Sequence, residues 1–226
     1  MPTLLLTGAN RGLGLAFAAR YLEDGWRVHA CCRHPERAHR LRALGGDLHL
    51  HRLELRNPSH YQELADALGE EPLDLVLAAA GIGGPSGELD ALDVAGWLEA
   101  FHVNTIAPVQ LAATLRRHLA RAPAPKLVAL TSMLASIADN RTGGLYAYRT
   151  SKAALNMAWR SLAIELAAEG IVCTLIHPGW VRTDMGGPAA PLTPEESVRA
   201  MQRLIARLGP ADSGRFLSWR GEPCPW

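Results

Sequence analysis

Short apolar runs rich in leucine and β-branched residues alternate with longer stretches of helical period along the whole chain. This alternation restricts the fold more than any single motif does. The runs near 3–7, 27–32, 48–53, 73–79, 126–131, 171–176 and 215–218 are apolar enough to be covered on both faces, as strands of a parallel sheet are. The stretches near 12–24, 36–44, 59–68, 90–119, 145–169 and 194–208 have the length and period of crossover helices. The fold class predicted is α/β: a single domain over 1–226, with a doubly wound parallel sheet of about seven strands and helices on both faces. Element ends carry matching chemistry. Gly25 closes the first helix, Asn57-Pro58-Ser59 opens the third and Thr193-Pro194-Glu195-Glu196 opens the last, as capping rules require. Arg-Ala-Pro-Ala-Pro at 121–125 stops a helix and is too short to link domains.

A chain of 226 residues, 48% of them hydrophobic, buries roughly 70% of its unfolded surface and needs neither disulfides nor a structural metal. A formal net charge of +1 gives no drive toward nucleic acid or an anionic membrane. The apolar run Leu73–Ala80, interrupted by Asp74, falls short of the roughly 20 residues of a membrane helix. The N-terminal residues lack the basic and apolar regions of a secretory signal, so the expected location is the cytoplasm. Cys31, Cys32, Cys173 and Cys224 form no C-x-x-C pair and are expected to be reduced packing residues. His49 and His51 share one strand face, but no third ligand has suitable spacing. They are read as surface histidines, and no metal site is expected.

The first run leads through Thr7-Gly8-Ala9-Asn10-Arg11-Gly12-Leu13-Gly14 directly into a helix. Glycines let the backbone turn sharply and approach a ligand, while the free N–H groups and dipole at the helix start attract phosphate. NAD-specific folds end their second strand with an acid that binds the ribose 2′-hydroxyl. This chain instead reads Ala30-Cys31-Cys32-Arg33. Arg33, joined by Arg11, can fork onto the oxygens of a 2′-phosphate, so the expected cofactor is NADP(H). Arg37, Arg40 and Arg42 read as a solvated helix face.

Tyr148 and Lys152, four residues apart, lie on one helical face. A phenol titrates near a pKa of about 10, and a neighbouring ammonium lowers that value, which suits the pair to passing a proton to a carbonyl oxygen. Tyr146 has only Thr150 at the same spacing. Lys126 and Lys152 are the only lysines in an arginine-rich chain. Ser132 follows the fifth run, at the sheet edge where open α/β folds bind ligands. A hydroxyl there can polarise a carbonyl, although capping a strand end is its plainer use. Asn104 sits mid-helix with no cap to make. The loop 177–193, with proline and glycine around Asp184 and Met185, is expected to cover a site.

The T-G-x-x-x-G-x-G spacing and the stretch 131–157, TSMLASIADNRTGGLYAYRTSKAALNM, resemble the short-chain dehydrogenase/reductase family, in its Sniffer-like and C-factor-like branch. The resemblance covers nearly the whole chain and implies a Rossmann fold. It makes Ser132 the catalytic serine, with Ser136 a lesser alternative, Tyr148 the acid–base and Lys152 its partner. Asn104 then completes a tetrad by holding a water beside the lysine. The implied cofactor contacts come from Gly8, Asn10, Arg11, Gly12, Leu13 and Gly14, and from Arg33, Glu54 and Leu55 around the adenosine. Ala79, Ala80 and Gly81 approach the ribose, with Pro178, Gly179, Val181 and Thr183 at the nicotinamide; Asn104, Tyr148 and Lys152 are implied cofactor contacts as well, Lys152 orienting the ribose. Two departures stand out. Ala78-Ala79-Ala80-Gly81 replaces the usual Asn-Asn-Ala-Gly, which implies a less well supported floor, and Glu54 stands where the family commonly has Asp.

The function expected is NADPH-dependent reduction of an aldehyde, ketone or quinone. One alternative is a dinucleotide-binding signalling or sensor protein of C-factor type. Another, a sugar-nucleotide epimerase or dehydratase, needs a larger substrate domain than the about 50 residues after the sixth run provide. The family's habit implies a homodimer through the long fourth and fifth helices, with a tetramer possible. Substrate determinants are expected in loops near 82–90, 133–145 and 180–195, with Leu145, Trp180 and Met185 as an apolar wall.

Overall fold

A computed structural model describes residues 1–87 and 89–226. Its strands are β1 (Thr3–Thr7), β2 (Arg27–Cys32), β3 (Leu48–Arg52), β4 (Leu75–Ala78), β5 (Lys126–Leu130), β6 (Val172–His177) and β7 (Phe216–Ser218). They form one sheet in the order β3-β2-β1-β4-β5-β6-β7, and each neighbouring pair is parallel. The strand order reverses between β1 and β4, the place where such sheets open a crevice at their carboxyl edge.

Alternation along the strands sends side chains to two cores. Leu4 and Leu6 pack with Phe17 and Tyr21 of α1 (Gly12–Glu23), Leu41 of α2 (His39–Arg42) and Met201 of α7 (Pro194–Arg207). Leu5 and Val76 point the other way, toward Leu64 of α3 (Pro58–Leu68), Leu115 of α5 (Ala107–Leu119) and Trp159 of α6 (Tyr146–Glu165). The caps read from the sequence form. Asn57 Oδ1 accepts from the Ser59 amide at 3.1 Å, and Thr193 and Glu196 make a reciprocal capping box.

The stretch 90–119 is not one helix. α4 (Val94–Phe101) passes through a π-helical turn, His102–Ile106, before α5 begins. Pro108 has no N–H for the carbonyl four residues earlier, that of Asn104, and its ring crowds that group. The ladder therefore widens there, and the widened turn carries Asn104 inward, fully buried. The stretch 36–44 also breaks, into a 3₁₀ turn at Pro35–Arg37 and the short α2.

His51 is not a surface residue. It is half-buried on β3, and its Nε2 lies 2.8 Å from Nδ1 of buried His29 on β2. The other His29 nitrogen faces Glu71 at 3.1 Å. Burial, reinforced by His29 and His49, pushes the His51 pKa down to about 4. His49 remains exposed and bonds Asp47 at 2.7 Å. The four cysteines are buried, unpaired thiols, and burial raises the pKa of each, the condition of inert packing residues.

Candidate active site

A cleft of about 480 Å³ opens at the carboxyl edge of the sheet. Gly8, Asn10, Arg11, Gly12, Leu13 and Gly14 line it from the β1–α1 turn, Arg33 from the end of β2, and Glu54 and Leu55 from beyond β3. Ala79, Ala80 and Gly81 after β4, Tyr148 and Lys152 of α6, and Pro178 and Thr183 after β6 complete the wall. The turn is built for close backbone approach. A Cβ on Gly14 would lie 2.2 Å from the Gly8 carbonyl oxygen, and one on Gly8, at φ 70°, would lie 2.9 Å from Ala80 Cα. No side chain caps α1, so its first-turn amides remain available to an anion.

The loop 177–193 reaches over this cleft. Thr183, Asp184 and Met185 line it, and Asp184 accepts from Arg11 Nη1 at 2.9 Å across the mouth. Val181 and Gly179 do not line the cleft, contrary to expectation. Val181 is buried and bridges to Leu192, and the Gly179 α-carbon faces Leu192 and Trp219. Of the three apolar residues expected at the substrate wall, Met185 lines the cleft, whereas Trp180 donates to the Gly186 carbonyl within the loop at 2.7 Å. Sequence reading missed His34, Arg37, Arg56 and Glu99, which also line the cleft. Arg37 is four residues from Arg33, and the 3₁₀ turn at Pro35 brings it to the mouth rather than onto a solvated helix face.

The floor formed by Ala79 and Ala80 has a support that the missing asparagine does not reveal. Thr7 Oγ1 accepts from both amides at 3.2 Å, tying the end of β4 to β1. Asn104 secures the next residues. Its Nδ2 donates to the Ile82 carbonyl at 2.8 Å and to Ser151 Oγ at 3.0 Å, while its Oδ1 accepts from the Ile82 amide at 2.9 Å. Asn104 thus clamps backbone and serine instead of facing the cleft.

Lys152 is buried beneath Gly81, where a Cβ would lie 3.4 Å from Nζ. Its Nζ donates to the Leu130 carbonyl at 2.9 Å, and burial pushes its pKa down to about 8. Burial pushes the Tyr148 phenol up, and a hydrogen bond with Ser132 acts against that rise. Burial is the larger influence on the Tyr148 phenol, and the Lys152 amine is turned to the Leu130 carbonyl. Ser132 Oγ accepts from the Leu134 amide at 3.1 Å, which leaves its own hydrogen for another acceptor. Ser136 is occupied elsewhere, donating to the Trp226 carbonyl at 3.2 Å. Tyr146 lies on the outer side against Trp97, ring centroids 6.1 Å apart.

A phosphate-receiving turn and the Tyr148–Lys152 pair thus face one cleft, with Ser132 behind the phenol as its hydrogen-bond partner. The family model described as short chain dehydrogenase matches residues 2–191. The chain belongs to the short-chain dehydrogenase family. This short-chain dehydrogenase is 43% identical over 155 residues to the C-signal protein of Myxococcus xanthus, covering 69% of this chain and 93% of that one. Its structure resembles the carbonyl reductase Sniffer of D. melanogaster with a TM-score of 0.94 at 34% identity, over 100% of both chains. It also resembles the NADPH-bound carbonyl reductase from chicken fatty liver with a TM-score of 0.91 at 33% identity, over 100% of this chain and 99% of the other.

Proposed function

We propose that residues 1–226 form one NADPH-dependent carbonyl reductase domain that reduces an aldehyde, ketone or quinone to an alcohol. The observation that carries this reading is the cleft itself: Tyr148 and Lys152 line the same cavity as the uncapped start of α1 and Arg33. The glycine turn, Arg33, Glu54 with Leu55, Ala79 to Gly81, Pro178 and Thr183 would hold the dinucleotide, and their fit is supported by the glycine turn, which added Cβ atoms at Gly8 and Gly14 would obstruct. When bound, the dinucleotide supplies the hydride.

Ser132 and Tyr148 donate hydrogen bonds to the substrate oxygen, stabilising the negative charge that develops there. Tyr148 then releases its proton to that oxygen. Its raised pKa keeps the phenol protonated, the form an acid in the reducing direction needs. Lys152, fixed by Leu130, lines the cleft with Tyr148 and holds its amine beneath the Gly81 backbone. Asn104 contributes through position, by fixing the Gly81–Ile82 turn. Similarity to NADPH-bound carbonyl reductase and the arginines at the mouth support NADP(H) over NAD(H).

A homodimer is part of this reading. Leu98 of α4, Ile106 of the π turn, and Met157 and Ile164 of α6 leave apolar side chains exposed, as association through these helices requires. Residence in the cytoplasm is supported by the four unpaired cysteines; among the described residues no helix is long and apolar enough to cross a membrane.

The test is NADPH oxidation against a panel of aldehydes, ketones and quinones, with Tyr148→Phe in parallel. Turnover that falls by more than about a hundredfold in Tyr148→Phe is the expected result. The 43% identity to C-signal favours a second reading, a dinucleotide-binding signalling protein. Tight NADPH binding without turnover of any carbonyl would select it.

A further inference from the structure

Arg149 follows the catalytic tyrosine in sequence and is only 9% exposed. Its guanidinium is met by neutral groups. Nη2 donates to Thr142 Oγ1 at 2.7 Å, Nη1 to the Leu134 carbonyl at 3.4 Å, and Nε is buried with no partner. A cation buried among neutral groups weakens a fold, so its presence beside Tyr148 calls for a use that packing does not supply.

Leu134 supplies the connection. Its amide donates to Ser132 Oγ at 3.1 Å, and its carbonyl accepts from Arg149. One residue thus joins the serine to the helix that carries the tyrosine. Because the Leu134 amide occupies a lone pair of Ser132 Oγ, the serine hydrogen is directed away from Leu134. The grip on Thr142 holds the far end of the same segment, just before three consecutive left-handed residues, Gly143 and Gly144 at φ 64° and Leu145 at φ 49°, lead into α6.

We propose that Arg149 is a positioning residue: it fastens the segment 132–142 to α6 so that the Ser132 hydroxyl stays directed at Tyr148, its acceptor until a substrate oxygen takes over that hydrogen bond. Its kinetic consequence rests on the reductase reading above; its geometric consequence does not. Without the clamp, Leu134 is free to turn, Ser132 loses its aim, and the bond that favours phenolate weakens.

The experiment is an ultraviolet titration of phenolate in the full chain, with the Tyr148→Phe protein subtracted so that only Tyr148 is read. Arg149→Met is expected to raise the Tyr148 pKa as Ser132→Ala does. The double variant is expected to show no more than Ser132→Ala alone, since both act through one bond. NADPH affinity by fluorescence is expected to stay unchanged, while kcat falls by about tenfold to a hundredfold with little change in KM. Additive shifts in the double variant, or an unmoved titration in folded Arg149→Met, overturn the proposal. So does a loss of melting temperature and NADPH affinity with no change at Tyr148, the pattern of a merely structural residue. If Arg149→Met does not fold, Arg149→Lys and Thr142→Val are read by the same titration against the same outcomes. A wild type that reduces no carbonyl removes the reductase reading, while the titration still decides the role of Arg149.

Discussion

Lys152→Met exchanges a buried ammonium for a side chain of similar length and no charge. Each pH unit by which burial depresses an amine's pKa is worth about 1.4 kcal/mol. Lowering Lys152 from its ordinary 10.5 to about 8 therefore costs the fold about 3 kcal/mol. The variant leaves the Leu130 carbonyl without its donor, a loss of about 1 kcal/mol. The net expectation is a variant more stable than wild type by about 2 kcal/mol at pH 7, or about 4–8 °C in melting temperature for a chain this size. The sign with pH is fixed. Between about 8 and 10.5 the unfolded chain keeps the lysine proton and the folded chain does not, so wild-type stability rises with pH in that window. Urea denaturation at pH 7, 9 and 10 should show the advantage of Lys152→Met shrinking as pH rises, with carbonyl turnover abolished throughout. A variant no more stable than wild type at pH 7, or a gap that stays constant across the series, would refute the reasoning.

Two further substitutions test the cofactor end of the cleft. Gly14→Ala puts a Cβ 2.2 Å from the Gly8 carbonyl oxygen, so the turn must shift; a stability loss of about 1–3 kcal/mol together with lost NADPH binding is expected from calorimetry, and unchanged binding would show that the turn is not the cradle. Arg33→Asp should reverse the ratio of NADPH to NADH affinity by about tenfold or more, since it replaces a charge-assisted donor by a like charge facing phosphate; an unchanged ratio in a fluorescence titration sinks the assignment.

The parts of the site readable in the sequence were those written locally. Tyr148 and Lys152 are one helical turn apart, and the glycines of the β1–α1 turn lie between a run of period two and a run of period 3.6. Both patterns survive any tertiary arrangement that keeps the helix and the turn. Arg37 carries no local sign that Pro35 turns the chain back to the cleft. Nothing in the neighbourhood of Val181 announces its bridge to Leu192. The π turn had a signal, Pro108 four residues after Asn104, which the apolar period of 90–119 concealed.

By itself the sequence determined the seven strands, their parallel pairing and the order in which the candidate site residues arrive at one sheet edge, because each follows from periodicity and from the geometry of crossover connections. Tertiary structure alone decided what holds those groups in place. Thr7 supports Ala79 and Ala80 across 72 and 73 residues of chain, Asn104 grips Ile82 and Ser151, and Arg149 reaches Leu134 and Thr142. Hydrogen bonds form wherever folding brings donor and acceptor within about 3 Å, and that distance has no counterpart in residue spacing once the partners lie on different elements.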